Sequence, residues 1–430
     1  AMSRTGFGTE LAERVAGFVR EGFSPSFGQL NGTFGSHPLW RRLRELGTEL
    51  WLDTGNIAEA EELWTREFSA LTTNNTLLNK EVQSGVYDEL IERAAKLLDE
   101  FPDLTDQERK LELAFILNAR HGLRLVERFD AFVSVEEHTD LTHDVDGSVE
   151  YARRYHAICP ERFYVKIPFS AAGLLATRKV AAEGIPVNHT LGFSGRQNYL
   201  IARIGRPAYV NVFLGRLNSV VADNKLGDGS YVGERATLTS QTFMVLLRQT
   251  QKVPSHQIGA SLRQGRQVID LAGIDVMTIP PKVAREFLAM GARPEDLTNR
   301  TGENYWPPLY EGVDPELVRL DTLWSVNDRL RACVDELEKQ DLDRFTPDDL
   351  IDFLARHKQG DLLVRWAPEQ IRTSAEEGKI PDLATWRDEL KAKRIGLDTL
   401  MNLAGWNSFD ADQRAMDQKV QDVLGHVGQR

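Results

Sequence analysis

From residue 49 onward the chain repeats one unit, a short apolar stretch of strand character followed by a run with helical spacing. Strand candidates fall at residues 49–53, 70–73, 131–135, 163–167, 187–190, 208–213, 257–260 and 276–279. Helical patterns follow at 57–64, 86–98 with 106–126, 148–155, 170–182, 195–204, 235–249, 263–271 and 282–290. Such alternation makes the strands parallel, because each helix carries the chain back to the end of the sheet where it started. Eight units of this kind predict an α/β fold, a closed (β/α)8 TIM barrel of about 240 residues. A doubly wound open sheet is the rival, and it fits less well because no Gly-rich dinucleotide fingerprint follows the first strand.

The 430 residues leave room for additions at both ends. Residues 1–48 read as a helical and loop extension, with helical spacing in Leu11, Val15, Phe18 and Val19, a Gly/Ser/Pro/Phe-rich loop, and a second helix over 39–46. The barrel is expected over 49–291 and a helical C-terminal region over 292–430. There Leu320, Leu323, Val326, Leu330, Cys333 and Leu337 recur at three- and four-residue steps, predicting one amphipathic helix. Thr346-Pro347-Asp348-Asp349 is a helix start, with Thr as N-cap, Pro in the first turn, acids at the positive end of the dipole, and Phe345 and Leu350 at staple spacing. Another helical piece is expected over 383–392.

The net charge of −12 gives no electrostatic case for nucleic acid or an anionic membrane. No apolar run approaches a membrane span. Cys159 and Cys333 are the only cysteines, which excludes a disulfide framework and fits a reducing cytosol, so a cytoplasmic location is expected. Ala1-Met2-Ser3-Arg4 resembles no secretory signal, and Ala1 before Met2 reads as a tag-cleavage scar.

Within the fourth strand candidate, Phe163-Tyr164-Val165-Lys166-Ile167-Pro168, a lysine interrupts an apolar run. Burying an ammonium is costly, and desolvation favours the neutral amine, the form that attacks a carbonyl to make a Schiff base. A strand-end lysine reaching solvent is the bland alternative, so the neighbours decide. In a parallel barrel the reactive groups gather at the C-terminal strand ends. Those ends carry Asp53, Asn74, Glu136, Asn188, Thr190, Arg216, Ser261 and Arg263. Each alone reads as a cap or turn residue. Together they hold the parts of a Schiff-base aldolase: Asp53 as base on a sugar hydroxyl, Glu136 as a second acid/base acting through water, and Asn74, Asn188 and Thr190 as neutral holders of hydroxyls. Arg216 and Arg263 with Ser261 suit a terminal phosphate, and Arg263 opens a helix whose N-terminus favours anions.

These segments resemble the transaldolase family of class I aldolases. Leu52-Asp53-Thr54-Gly55-Asn56, Thr72-Thr73-Asn74, Val133-Ser134-Val135-Glu136, Val165-Lys166-Ile167-Pro168, Asn188-His189-Thr190, Phe213-Leu214-Gly215-Arg216 and Gly259-Ala260-Ser261-Leu262-Arg263 are similar to the family's motifs in order, over roughly residues 49–290. The resemblance implies that Lys166 is the Schiff-base nucleophile, Asp53 the acid/base at the cleaved bond, and Glu136, helped by Thr190, the group that activates water. It places Asn74 and Asn188 on substrate hydroxyls and Arg216, Ser261 and Arg263 on phosphate. The implied reaction, part of the pentose phosphate pathway, converts sedoheptulose 7-phosphate and glyceraldehyde 3-phosphate into erythrose 4-phosphate and fructose 6-phosphate. It needs no metal or organic cofactor, and its partners are the sugar phosphates.

Four departures from the family pattern stand out: Asn75 in place of proline, Asn211 near the donor site in place of serine, Gly192 in place of an apolar residue, and the polar stretch 223–230. The first 48 and the last 140 or so residues find no counterpart in the resemblance. Two rivals remain, an aldolase of the same fold that releases its three-carbon product, or acts on a modified ketose, and a non-catalytic sugar-phosphate binder. Glu136 favours transfer, since the related fructose 6-phosphate aldolases lack a carboxylate there, and retention of the lysine and both carboxylates argues against a binder.

Among the remaining motifs, His138 and His143 are expected in a hydrogen-bonded surface loop rather than at a metal. His189 is expected to pack barrel against helix. Tyr305-Trp306-Pro307-Pro308 reads as an anchor between barrel and tail. The C-terminal apolar stripe reads as intramolecular core in preference to the seam of a homo-oligomer.

Overall fold

The computed structural model describes residues 3–427, so Ala1 and Met2 lie outside the described residues. Eight parallel strands close into a barrel in sequence order. They are β1 (Glu49–Asp53), β2 (Phe68–Thr72), β3 (Phe132–Glu136), β4 (Phe163–Pro168), β5 (Val187–Thr190), β6 (Tyr209–Phe213), β7 (His256–Ala260) and β8 (Val276–Ile279). Helices fill the outer ring, and the chain is a (β/α)8 TIM barrel with helical regions at both ends.

Strand alternation divides the work. Leu50, Leu52, Val133, Val135, Val165, Ile167, Val210 and Val212 are fully buried. Alternation sends them to the outer face of the sheet, against the helices. The residues between them fill the interior. At the N-terminal end of the barrel Trp51 stacks on Tyr164 with ring centroids 5.7 Å apart, Tyr164 stacks on Phe132 at 5.1 Å, and Tyr209 meets Trp51 edge-on at 4.7 Å. This aromatic floor closes the barrel from below, leaving the C-terminal mouth as its open end. His189, on the outer face of β5, shares a 2.9 Å hydrogen bond with Thr177 of the helix Ala171–Ala182 and is packing, as alternation predicts.

Several elements differ from the sequence reading. A helix, Asn75–Gln83, follows β2 directly, because Asn74 caps it by accepting from the Leu77 N–H at 2.9 Å. Another, Leu214–Asp223, starts at the end of β6 and occupies the first residue of the polar stretch. The stripe from Leu320 to Leu337 is not one helix. A 3-10 turn at Leu320–Leu323 precedes a helix, Asp328–Glu338, that Asn327 caps through the Leu330 N–H at 2.9 Å. Leu320 and Leu323 join the main core, whereas Leu330, Cys333 and Leu337 belong to a second core with Leu350, Phe353 and Leu362, so the stripe is buried within the chain. Thr346 does cap the helix Pro347–Arg356 in a reciprocal capping box with Asp349.

The C-terminal region ends in one long helix, Leu397–Val427. It crosses the barrel mouth, tied along its length to the segments that follow the strands. Asp398 takes a bidentate Arg196 (2.7 and 2.8 Å), Trp406 Nε1 donates to Thr142 (2.9 Å), and Asp410 accepts from Thr139 (2.8 Å). Asp412 accepts from Thr76, and Asp417 meets His138 Nε2 at 2.8 Å. His138 is therefore buried beneath this helix, which corrects the surface-loop expectation. Tyr305 anchors the linker as expected, stacking on Tyr231 at 4.9 Å and donating to the Asp270 carbonyl at 2.7 Å. No helix among the described residues is long and apolar enough to cross a membrane.

Candidate active site

The parallel register sets three groups side by side. Glu136 of β3, Lys166 of β4 and Asn188 of β5 are register partners, and alternation turns all three inward. Lys166 is only 5% exposed, and its Nζ donates to the Thr73 carbonyl at 3.2 Å. Thr73 is the residue after β2, so the turn into the next helix reaches over the amine.

Two carboxylates share this space. Asp53, at the end of β1, accepts from Thr72 Oγ1 at 2.8 Å, and Thr72 in turn contacts Thr278 of β8. Burial raises the Asp53 pKa, and the Thr72 hydrogen bond and the positive charge of Lys166 pull it back in part. Glu136 is raised by burial as well, opposed by Lys166 and by the Asn75 N–H, which donates to Glu136 Oε2 at 3.2 Å. Asn75 thus has a use for the N–H that a proline lacks. Both acids sit nearer neutral pH than free carboxyls, which suits groups that pass a proton back and forth.

The amides are more committed. Asn74 spends its Oδ1 on the helix cap. Asn188 Nδ2 donates to Ser134 Oγ at 3.1 Å, and its Oδ1 accepts from Asn211 Nδ2 at 2.7 Å. Asn211 also donates to the His189 carbonyl at 3.1 Å. Gly192 makes room for this network: a Cβ there would lie 2.5 Å from Asn198 Oδ1 and 2.8 Å from the Asn211 carbonyl. The Thr190 hydroxyl is buried with no protein partner.

Arg216, Ser261 and Arg263 meet at the other side of the mouth because two turns interlock. Gly215 N–H donates to the Ser261 carbonyl at 3.0 Å, and a Cβ on Gly215 would stand 2.1 Å from that oxygen and 2.7 Å from Arg263 Cγ. Ser261 pays for the turn with a left-handed backbone, φ 61°. Its hydroxyl and Arg216 Nη1 are buried without partners. Burial and the neighbouring Arg263 push the Arg216 pKa down to about 10, so the guanidinium still carries its charge at neutral pH. Among the described residues no three His, Cys, Asp or Glu side chains are grouped to hold a metal ion.

A model of the transaldolase/fructose-6-phosphate aldolase family matches residues 50–349. The chain belongs to this family. A probable transaldolase of Thermus thermophilus is 34% identical over 244 residues, covering 56% of this chain and 90% of the relative. A transaldolase of Thermosynechococcus vestitus is 27% identical over 356 residues, 77% of this chain and 86% of its own. One from Xanthomonas euvesicatoria is 29% identical over 276 residues, 61% and 82%. An enzyme of the transaldolase or aldolase kind follows from this membership. The family match also runs past the barrel to residue 349, which corrects the view that nothing after about 290 has a counterpart.

Around the barrel mouth the structure gives contacts to groups to which the sequence assigns no role. Thr72 and Ser134 each lie two residues before a named residue or its strand end, so counting by twos finds them. The Thr73 carbonyl, the Asn75 N–H, and Phe409 and Asp412 of the terminal helix carry no such signal.

Proposed function

We propose that the chain is a transaldolase that moves a dihydroxyacetone unit between sugar phosphates through a Schiff base at Lys166. The observation that carries this reading is a buried amine held in register between Glu136 and Asn188, with Asp53 facing the same space. The amine of Lys166 attacks the C2 carbonyl of a ketose phosphate, and the carbinolamine loses water, with Glu136 supplying and recovering the proton. Asp53 then takes the proton of the C4 hydroxyl as the C3–C4 bond breaks, and the bond's electrons flow into the iminium to leave an enamine. The shortened aldose leaves. An acceptor aldehyde is attacked by the enamine carbon, Asp53 returns its proton to the new hydroxyl, and water releases the product ketose from Lys166. Thr190 and Asn188 hold hydroxyls and the attacking water, and Asn74 and Asn211 complete that wall. Ser261, Arg216 and Arg263 bind the terminal phosphate. Sedoheptulose 7-phosphate with glyceraldehyde 3-phosphate is the leading substrate pair.

A second reading has one observation in its favour: the matching family also spans fructose-6-phosphate aldolases. In that case the enamine is protonated and dihydroxyacetone is released. Trapping with borohydride in the presence of fructose 6-phosphate, with and without erythrose 4-phosphate, separates the two. The expected result is an adduct at Lys166 and formation of the seven-carbon ketose. Free dihydroxyacetone without transfer selects the aldolase, and an adduct on a different lysine removes the assignment. Lys166→Ala is expected to stay folded and to trap nothing.

A further inference from the structure

Arg216 is a charged side chain 8% exposed, and no carboxylate among the described residues pairs with it. Its surroundings are aromatic instead. The guanidinium carbon lies 5.7 Å from the ring centroid of Phe213, at the end of β6, and 5.5 Å from that of Phe409. The two rings stand 6.4 Å apart at 77° to each other. Phe409 is 2% exposed and comes from the terminal helix, nearly two hundred residues along the chain from Arg216.

We propose that Phe409 is a positioning residue of the phosphate corner: its ring fixes the Arg216 guanidinium and thereby makes the C-terminal region part of the substrate site. This rests on the reading of Arg216 as a phosphate ligand. The physical reason is a matter of what a buried cation needs. A carboxylate partner would neutralise Arg216 and take up its N–H groups, and an incoming phosphate would then have to displace it. A ring face stabilises the cation through its quadrupole and accepts no conventional hydrogen bond, so the donors stay available. One arginine Nη1 is indeed buried and free.

The terminal helix is rigid enough for this task. On one side of Phe409 Trp406 is hydrogen-bonded to Thr142, and on the other Asp412 accepts from Thr76. Asp412 is near enough for its charge to favour the protonated Arg216 and the protonated Glu136, yet it makes no ion pair with the arginine. The C-terminal region brings a further cation close by, Lys379, whose pKa is held down by burial first and then by the charges of Arg263 and Arg216.

The test is calorimetric titration of the full chain with inorganic phosphate, alongside each variant's unfolding midpoint. Phe409→Leu removes the ring and keeps an apolar side chain, and is expected to weaken phosphate binding about tenfold. Phe409→Tyr keeps the ring and is expected to bind within about twofold of the parent. Phe409→Met serves as a second variant without a ring should leucine fail to fold. Equal affinity in parent and Leu or Met variants overturns the proposal, as does an equal loss in Leu and Tyr, which would mean packing rather than the ring. A parent that binds no phosphate overturns it too. Borohydride trapping of dihydroxyacetone on the parent is read separately. Failure to trap removes the Schiff-base reading, and the phosphate comparison still decides the role of Phe409.

Discussion

Glu136 ends β3 with its side chain in the barrel mouth, and Glu137, one step on, lies behind the strand against Leu141, Tyr151 and Tyr155. Burial raises both, and Glu137 stands well above the usual carboxylate range. A carboxyl whose pKa is raised on folding gives stability that is present at low pH and lost as pH rises through the raised value. Glu136→Gln removes that loss while its oxygen can still accept from Asn75. It is expected to be more stable than the parent by about 1 kcal/mol at pH 8, with the gap closing near pH 4, and to form the imine far more slowly. Thermal unfolding at the two pH values and single-turnover trapping check this. Asn75→Pro tests the same carboxylate from the other side. Proline is acceptable at the first position of a helix, so the variant should fold, but Glu136 loses a donor that favours its charged form. The expected outcome is an upward shift of the pH–rate limb that reports Glu136.

At the scale of elements, the proposed phosphate corner depends on the turns after β6 and β7 approaching as closely as two backbones can. Gly215→Ala would place a methyl group 2.1 Å from the Ser261 carbonyl, so one of the turns must move. A loss of about 2–3 kcal/mol in stability and a raised KM for phosphorylated substrates are expected, read by denaturant unfolding and steady-state kinetics. The motif Phe213-Leu214-Gly215-Arg216 is legible in the sequence, but the partner that makes its glycine necessary lies some 45 residues on in another turn. The helix Asn75–Gln83 escapes a reading of apolar periodicity for a similar reason. Asn74 looks like a substrate ligand by motif, and it also serves as the cap that starts the helix.

On the scale of the whole molecule, the terminal helix ties the tail across the barrel mouth. Its first turn is fixed by a buried charge cluster in which Arg196 bonds Asp398 and Asp361, and Arg319 bonds Asp361 at 2.8 Å. Asp398→Ala would leave Arg196 buried with half its partners gone, and is expected to cost about 3–5 kcal/mol by denaturant unfolding, with the affinity for phosphate falling as Phe409 loosens. The amino-acid sequence by itself determined the barrel, because eight alternating apolar stretches separated by helices have few other ways to bury themselves. It also determined which residues face the mouth, because strand parity is local. Only the tertiary structure decided the roof of the site. A helix that begins more than a hundred residues after the last strand has no local pattern that says which segments it will cross, and the pairing of Phe409 with Arg216 follows from packing of surfaces that meet only after the barrel has closed.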